Sequence, residues 1–131
     1  MFETTQSAEF EFAISQQEMD WFRETSGDTS YIHVDPQKAR AMGFKDVIVY
    51  GGLMLLRVSK MVGEYLPGKY GVSLGWSIDY RDALYVGERA IIRSEVQRYS
   101  PAAKHLTCKF VIRADDRLIA IGKTESMIRD L

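Results

Sequence analysis

The longest apolar stretch of the chain, residues 51–66, constrains its fold most strongly. It combines apolar side chains near helical spacing with two leading glycines, and Pro67 and Gly68 follow it as a helix stop. Its apolar positions include Leu53, Leu55, Leu56, Val58, Met61, Val62 and Tyr65. Because they spread beyond a single stripe, we expect the helix to be buried, which requires a second layer of structure to cover it.

The residues after this helix change from helical to alternating periodicity. Apolar side chains recur at every second position in three stretches, and a fourth stretch spans residues 117–128. Turn signals separate these stretches at Gly87, at Ser100 with Pro101, and at Asp115 with Asp116. Four successive strands after one buried helix predict an α+β fold, in which an antiparallel sheet curves around the helix.

Shorter elements are predicted before the apolar helix. Residues 8–14 are typical of a short strand. Ser15 and Glu18 have the spacing of a capping box, which predicts that a helix begins there. Asp35 followed by Pro36 predicts a helix cap and the first residue of another brief helix.

Composition bounds the classes of function. The 131 residues include 17 basic and 18 acidic side chains, so there is no basic excess to bind nucleic acid. We expect a single domain, residues 1–131. No apolar run reaches the roughly 18 residues of a membrane span, and the N-terminus lacks the pattern of a signal peptide. One cysteine and two histidines argue against a disulfide or a zinc site and favour a cytoplasmic location.

An acid–base pair stands out in the segment SGDTSYIHVD, residues 26–35. Asp28 and His33 lie five residues apart, and an imidazole with a pKa near 6.5 suits proton transfer at neutral pH. Gly51 then opens the apolar helix, where a free amide and the helix dipole stabilise negative charge. Each feature also has a structural interpretation: Asp28 as a turn cap, His33 as a core residue, and the glycines as sites of close packing.

These residues are similar to those of the MaoC-like (R)-specific enoyl-CoA hydratases of the hot-dog superfamily. The resemblance covers roughly residues 18–128. It rests on SGD at 26–28, His33, YGGL at 50–53, LPG at 66–68, VSLGWSIDY at 72–80 and VGE at 86–88.

The resemblance implies a hot-dog fold and a homodimer whose sheets join across the interface. It also implies syn addition of water to a trans-2-enoyl thioester of CoA or acyl carrier protein, or the reverse dehydration. Asp28 and His33 would activate the water, the Gly51 amide would receive the thioester oxygen, and Ser59 would line the site. No metal or organic cofactor is required.

Three positions depart from the commoner family pattern. Ser30 and Tyr31 replace Asn and Pro, and Tyr50 replaces a frequent His. We predict that these three residues, together with Gly52, contact substrate or shape its pocket. Tyr31 and Tyr50 are interpreted as pocket walls or core residues rather than proton donors.

Two other functions are compatible with the same fold. A hot-dog thioesterase would use a carboxylate and a helix-start amide, with water attacking C1. A non-catalytic acyl-binding or structural subunit would keep the fold without the chemistry. The altered motif is compatible with fatty-acid metabolism and with a specialised pathway such as polyketide biosynthesis, where a nucleophile other than water could use the same base.

Overall fold

A computed structural model describes residues 1–129 of the chain. The elements, in chain order, are β1 (Ser7–Phe12), α1 (Gln16–Ser26), α2 (Tyr31–Val34), α3 (Pro36–Ala41), α4 (Gly51–Lys60), β2 (Gly71–Tyr80), β3 (Ala90–Ser100), β4 (His105–Ala114) and β5 (Arg117–Ile128). The helical path of α4 continues through a π-helical turn, Met61–Tyr65.

The five strands form one antiparallel sheet in the order β1-β3-β4-β5-β2. Strands β3, β4 and β5 pair as successive neighbours, and β2 pairs with β5 and forms one edge of the sheet. The strand that opens the chain, β1, forms the other edge. The predicted α+β architecture, an antiparallel sheet around one long helix, is confirmed.

Helix α4 packs against the inner face of this sheet. Leu53 and Val58 are fully buried in the same apolar cluster as Ile92 of β3 and Ile112 of β4. The predicted burial is therefore confirmed for Leu53, Val58, Met61 and Val62, but Leu56 (42%) and Tyr65 (40%) are exposed, because they lie on the side of the helix that the sheet of one chain does not cover. Burial of one such side chain stabilises the fold by about 1.5–3 kcal/mol, so the helix and the sheet depend on each other.

Local hydrogen bonds begin the two predicted N-terminal helices as expected. Ser15 Oγ accepts from the Glu18 amide at 3.1 Å, and Glu18 Oε2 accepts from the Ser15 amide at 3.1 Å. Asp35 Oδ1 accepts from the Lys38 amide at 3.1 Å, directly before Pro36. Both caps satisfy amides that the first turn of a helix leaves without an acceptor.

Two element boundaries and the regularity of one strand differ from the predictions. Strand β1 ends at Phe12 rather than residue 14, because the carbonyl of Ile14 accepts from the Gly87 amide in a loop instead of from β3. The regular α-helix ends at Lys60, before the π-helical turn. A β-bulge between Ser73 and Gly75 interrupts the alternation predicted for β2.

Within residues 1–129, no helix has the length and apolar character needed to cross a membrane.

Gly122 marks the closest approach between β5 and its neighbours. A Cβ at this position would lie 2.2 Å from the main-chain oxygen of Ser77 and 2.3 Å from Cζ of Phe110. Neither atom can move without displacing β2 or the core. By contrast, a Cβ on Gly75 in β2 would meet no atom within 4 Å.

We therefore expect Gly122→Ala to lower the free energy of unfolding by about 1–3 kcal/mol, the usual cost of overpacking. The matched variant Gly75→Ala should have little effect or raise stability slightly. Urea unfolding followed by circular dichroism measures both. Equal stability of the two variants would contradict the close packing described for Gly122.

Candidate active site

A cavity of about 310 Å³ lies beside the start of α4. It brings together two of the predicted catalytic residues, His33 and Gly51, from segments 18 residues apart. Its complete lining is Ile32, His33, Ile48, Val49, Gly51, Met54, Tyr80, Asp82, Ala83 and Leu84.

The His33 ring is fixed by a hydrogen bond to the main chain. Nδ1 lies 2.8 Å from the carbonyl oxygen of Ile48. Because a carbonyl oxygen can only accept, Nδ1 carries the hydrogen and donates it. The neutral ring therefore has its lone pair on Nε2, which is the nitrogen left to exchange a proton at the cavity.

The Asp28 carboxylate is held in place by two hydrogen bonds from Ser30. Oδ1 accepts from the Ser30 amide at 2.9 Å and from the Ser30 hydroxyl at 2.5 Å. These two hydrogen bonds, with a smaller contribution from the charge of His33, hold the pKa of Asp28 below its ordinary value. Asp28 is half-buried and is not among the residues that line the cavity.

Gly51 is the first residue of α4, where helix amides have no intrahelical acceptor. None of the described residues accepts a hydrogen bond from the Gly51 amide. The absence of a side chain also permits close packing, since a Cβ here would lie 2.6 Å from the Tyr80 hydroxyl. Gly51 is therefore a site of close packing against Tyr80. This packing involves the missing side chain and leaves the main-chain amide able to donate a hydrogen bond.

Tyr50 and Gly52 lie behind the cavity wall rather than on it. Tyr50 is only 2% exposed, and its hydroxyl donates to the main-chain oxygen of Asp28. Gly52 faces Phe22, whose Cζ would be 2.3 Å from an added Cβ. Both residues are thus packed within the protein, and their predicted substrate contacts stay untested.

The other three predicted contact residues also lie outside the cavity lining. Ser30 is exposed and bonded to Asp28. Tyr31 is 56% exposed, and the ammonium group of Lys38 lies 3.6 Å from the centroid of its ring. Ser59 is exposed near the end of α4, two turns from Gly51. Their contact with substrate stays a prediction.

Sequence reasoning did not assign Tyr80 and Asp82 to the site, although both line the cavity. Tyr80 is the last residue of β2 and Asp82 follows it, about 30 residues after Gly51, and only the pairing of β2 with β5 brings them to the helix start. Arg117 of β5 fixes this segment, because Nη1 donates to the carbonyl of Ala83 at 2.7 Å and lies 3.3 Å from Asp82 Oδ2. Burial raises the pKa of the Tyr80 hydroxyl.

A larger depression, of about 640 Å³, lies on the outer face of the sheet. Its charged lining includes Arg93, Lys109 and Lys123, and it contains none of the predicted site residues. The smaller cavity is the better candidate because it combines an imidazole with an unpaired helix amide.

The Ser30 hydrogen bonds predict a measurable pH effect. Ser30→Ala removes the hydroxyl donor, so the pKa of Asp28 should rise toward its ordinary value. Since the folded-state pKa is depressed, ionised Asp28 stabilises the fold above an unfolded pKa of about 3.9. That contribution is lost as pH falls through the lower folded pKa.

Carboxyl ¹³C NMR titration measures the Asp28 pKa directly. Ser26→Ala is the matched control, because Ser26 Oγ accepts from the Asp28 amide and does not bond to the carboxylate. An unchanged Asp28 midpoint in Ser30→Ala would refute the assigned cause.

Comparison with known proteins identifies relatives of this chain. The chain is 33% identical over 75 residues to the (R)-specific enoyl-CoA hydratase of Aeromonas caviae, covering 57% of this chain and 56% of the relative. It is 29% identical over 77 residues to the mitochondrial 3-hydroxyacyl-[acyl-carrier-protein] dehydratase of Arabidopsis thaliana, covering 59% of this chain and 45% of the relative. In these alignments the chain spans about half the length of each relative.

The fold is shared over nearly the whole chain. The solved (R)-hydratase from A. caviae involved in PHA biosynthesis superposes with a TM-score of 0.90 and 26% identity, covering 98% of both chains. This similarity confirms the predicted hot-dog fold. A family model described as the MaoC like domain matches residues 2–109. The chain therefore belongs to the MaoC-like domain family.

Proposed function

We propose that the protein is a hydro-lyase that adds water (R)-specifically to a trans-2-enoyl thioester, or removes water from a 3-hydroxyacyl thioester. The acyl group would be carried by CoA or by acyl carrier protein. The observation that carries this proposal is the shared cavity of His33 and Gly51, with Nδ1 of His33 already bonded to a carbonyl. The names of the A. caviae and A. thaliana relatives support the same reaction class.

In this mechanism the water oxygen bonds to C3 of the enoyl thioester as Nε2 of His33 accepts its proton. Ionised Asp28 shares the water and stabilises the imidazolium that forms. The electron pair of the C2–C3 double bond moves toward the thioester oxygen. As this electron pair returns, C2 takes the proton from Nε2 of His33, which restores the neutral imidazole and the thioester carbonyl. General acid–base catalysis of this kind is worth about 10²–10⁴-fold in rate.

The Gly51 amide donates a hydrogen bond to the thioester oxygen and stabilises the negative charge that develops there. It stands at the N-terminal end of α4, where the helix dipole favours negative charge. An oxyanion donor of this kind is worth about 10²–10³-fold in kcat. The apolar part of the cavity lining, including Ile32 and Met54, suits the acyl chain.

We further propose that two copies of the chain join through the β2 edge. Strand β2 exposes apolar side chains and carries no charge from Gly71 to Ile78, whereas edge strand β1 carries Glu9 and Glu11. Uncharged, apolar edges are the ones that pair with another chain. The exposed residues are Val72 (49%), Leu74 (54%), Trp76 (38%) and Tyr80 (47%). Because Tyr80 also lines the cavity, the interface would adjoin the active site.

The reaction is tested with crotonyl-CoA, a longer trans-2-enoyl-CoA and the corresponding carrier-protein thioesters. Loss of enoyl absorbance with formation of the (R)-3-hydroxyacyl product is expected in the wild type. Asp28→Asn and His33→Ala should each lower kcat/KM by about 10²–10⁴-fold, because each removes part of the proton-transfer pair.

Matched controls are available for both substitutions. His105→Ala removes the only other histidine, which lies on β4 outside the cavity, and Asp20→Asn neutralises an exposed aspartate of α1. Both should retain activity. Release of free thiol without hydroxyacyl product would identify a thioesterase instead. A folded wild type that acts on none of these thioesters would favour the non-catalytic alternative.

The dimer proposal predicts a mass of twice the 15.0 kDa chain in solution. Leu74→Glu should shift the protein toward monomer, since it places a charge on the apolar edge. Ile91→Glu, at a 36% exposed position on β3, is the matched control and should stay dimeric. Sedimentation velocity measures all three, and a monomeric wild type at micromolar concentration would rule the dimer out.

A further inference from the structure

Tyr50 joins three parts of the candidate site, although it does not line the cavity. It occupies the N-cap position of α4, directly before Gly51, and is 2% exposed. Its ring stacks on the His33 imidazole, with centroids 4.1 Å apart and planes inclined by 25°. The ring of Phe22 also packs against Tyr50, with centroids 4.6 Å apart.

The Tyr50 hydroxyl reaches the residue that carries the candidate carboxylate. It donates to the main-chain oxygen of Asp28 at 2.5 Å. Burial, and then the negative charge of Asp28, raise the pKa of Tyr50, so the hydroxyl remains a donor at neutral pH. A single side chain thus contacts His33 through its ring and Asp28 through its hydroxyl.

We propose that Tyr50 is a positioning residue that holds Asp28 and His33 in a fixed arrangement beside the Gly51 amide. This proposal rests on the proposed hydro-lyase function and assigns to Tyr50 a role other than substrate contact. The hydrogen bonds described within the segment between α1 and α2 are local, from the Asp28 amide to Ser26 and from Ser30 to the Asp28 carboxylate. The hydrogen bond from the Tyr50 hydroxyl connects that segment to the start of the buried helix.

The physical basis is the sensitivity of proton transfer to distance. A displacement of about 1 Å in a reacting group can cost about 10²-fold in rate. The Tyr50 hydroxyl fixes the backbone of Asp28, while Ser30 fixes only the carboxylate relative to that backbone. Without the hydroxyl, the local turn would survive but its position relative to His33 would not be fixed.

Tyr50→Phe is the sharpest test, because it keeps the ring that stacks on His33 and removes only the hydroxyl. We expect kcat to fall about 10- to 100-fold while KM changes less than about twofold, since Tyr50 acts on alignment and does not touch substrate. Tyr99→Phe is the matched control, because the Tyr99 hydroxyl contacts the sulfur of Met1 instead of the site. It should leave both parameters unchanged.

Amide hydrogen exchange, followed by two-dimensional NMR, gives a readout that does not depend on activity. The informative amides belong to Ser30, which donates to Asp28 Oδ1, and to His33, which donates to the carbonyl of Ser30 at 2.9 Å. In Tyr50→Phe their exchange should accelerate about three- to tenfold, the factor expected from one net hydrogen bond. Amides of β4 should be unaffected.

The outcomes separate the proposal from its alternatives. Lower kcat, constant KM and faster exchange confined to residues 28–33 would support positioning. A KM effect as large as the kcat effect would overturn it in favour of substrate contact. Unchanged exchange at Ser30 and His33, or faster exchange throughout the sheet, would also overturn it. If the wild type lacks hydro-lyase activity, the proposed function fails, and the exchange measurement still decides whether Tyr50 anchors the segment.

Discussion

Burial of α4 against the sheet is the constraint on which the rest of the structure depends. Leu53 and Val58 are fully buried, so the helix cannot slide or rotate without exposing core surface. Its first residue, Gly51, is therefore fixed in space. The loop after β2 and the segment before α4 converge on that point, as shown by the hydrogen bond from the Val49 amide to the carbonyl of Leu84 at 2.8 Å.

His33, one member of the candidate acid–base pair, is positioned by a different kind of interaction. Helix α2 has four residues, far fewer than a helix needs for stability on its own. Its position comes from tertiary hydrogen bonds: Ile48 donates its amide to the carbonyl of Ile32 at 2.8 Å and accepts from Nδ1 of His33. The rigidity of the site is thus supplied by the segment that leads into α4, and the short helix contributes little of its own.

The sequence predicts what depends on periodicity and local capping, and misses what depends on register. The buried helix, the four strands after it and the caps at Ser15 and Asp35 follow from spacing alone. The bulge near Gly75 and the contribution of Tyr80 to the cavity do not. Both follow from the pairing of β2 with β5. These strands are separated in sequence by β3 and β4, so no hairpin turn fixes their register locally.

The three departures from the commoner family pattern have a common structural consequence. Ser30 bonds to the carboxylate of Asp28, Tyr31 turns outward to Lys38, and Tyr50 turns inward to the carbonyl of Asp28. None of the three lines the cavity within one chain. Two of the three, Ser30 and Tyr50, instead bond to Asp28, one member of the candidate acid–base pair. The altered motif positions and the residues that line the candidate cavity therefore belong to different parts of the structure.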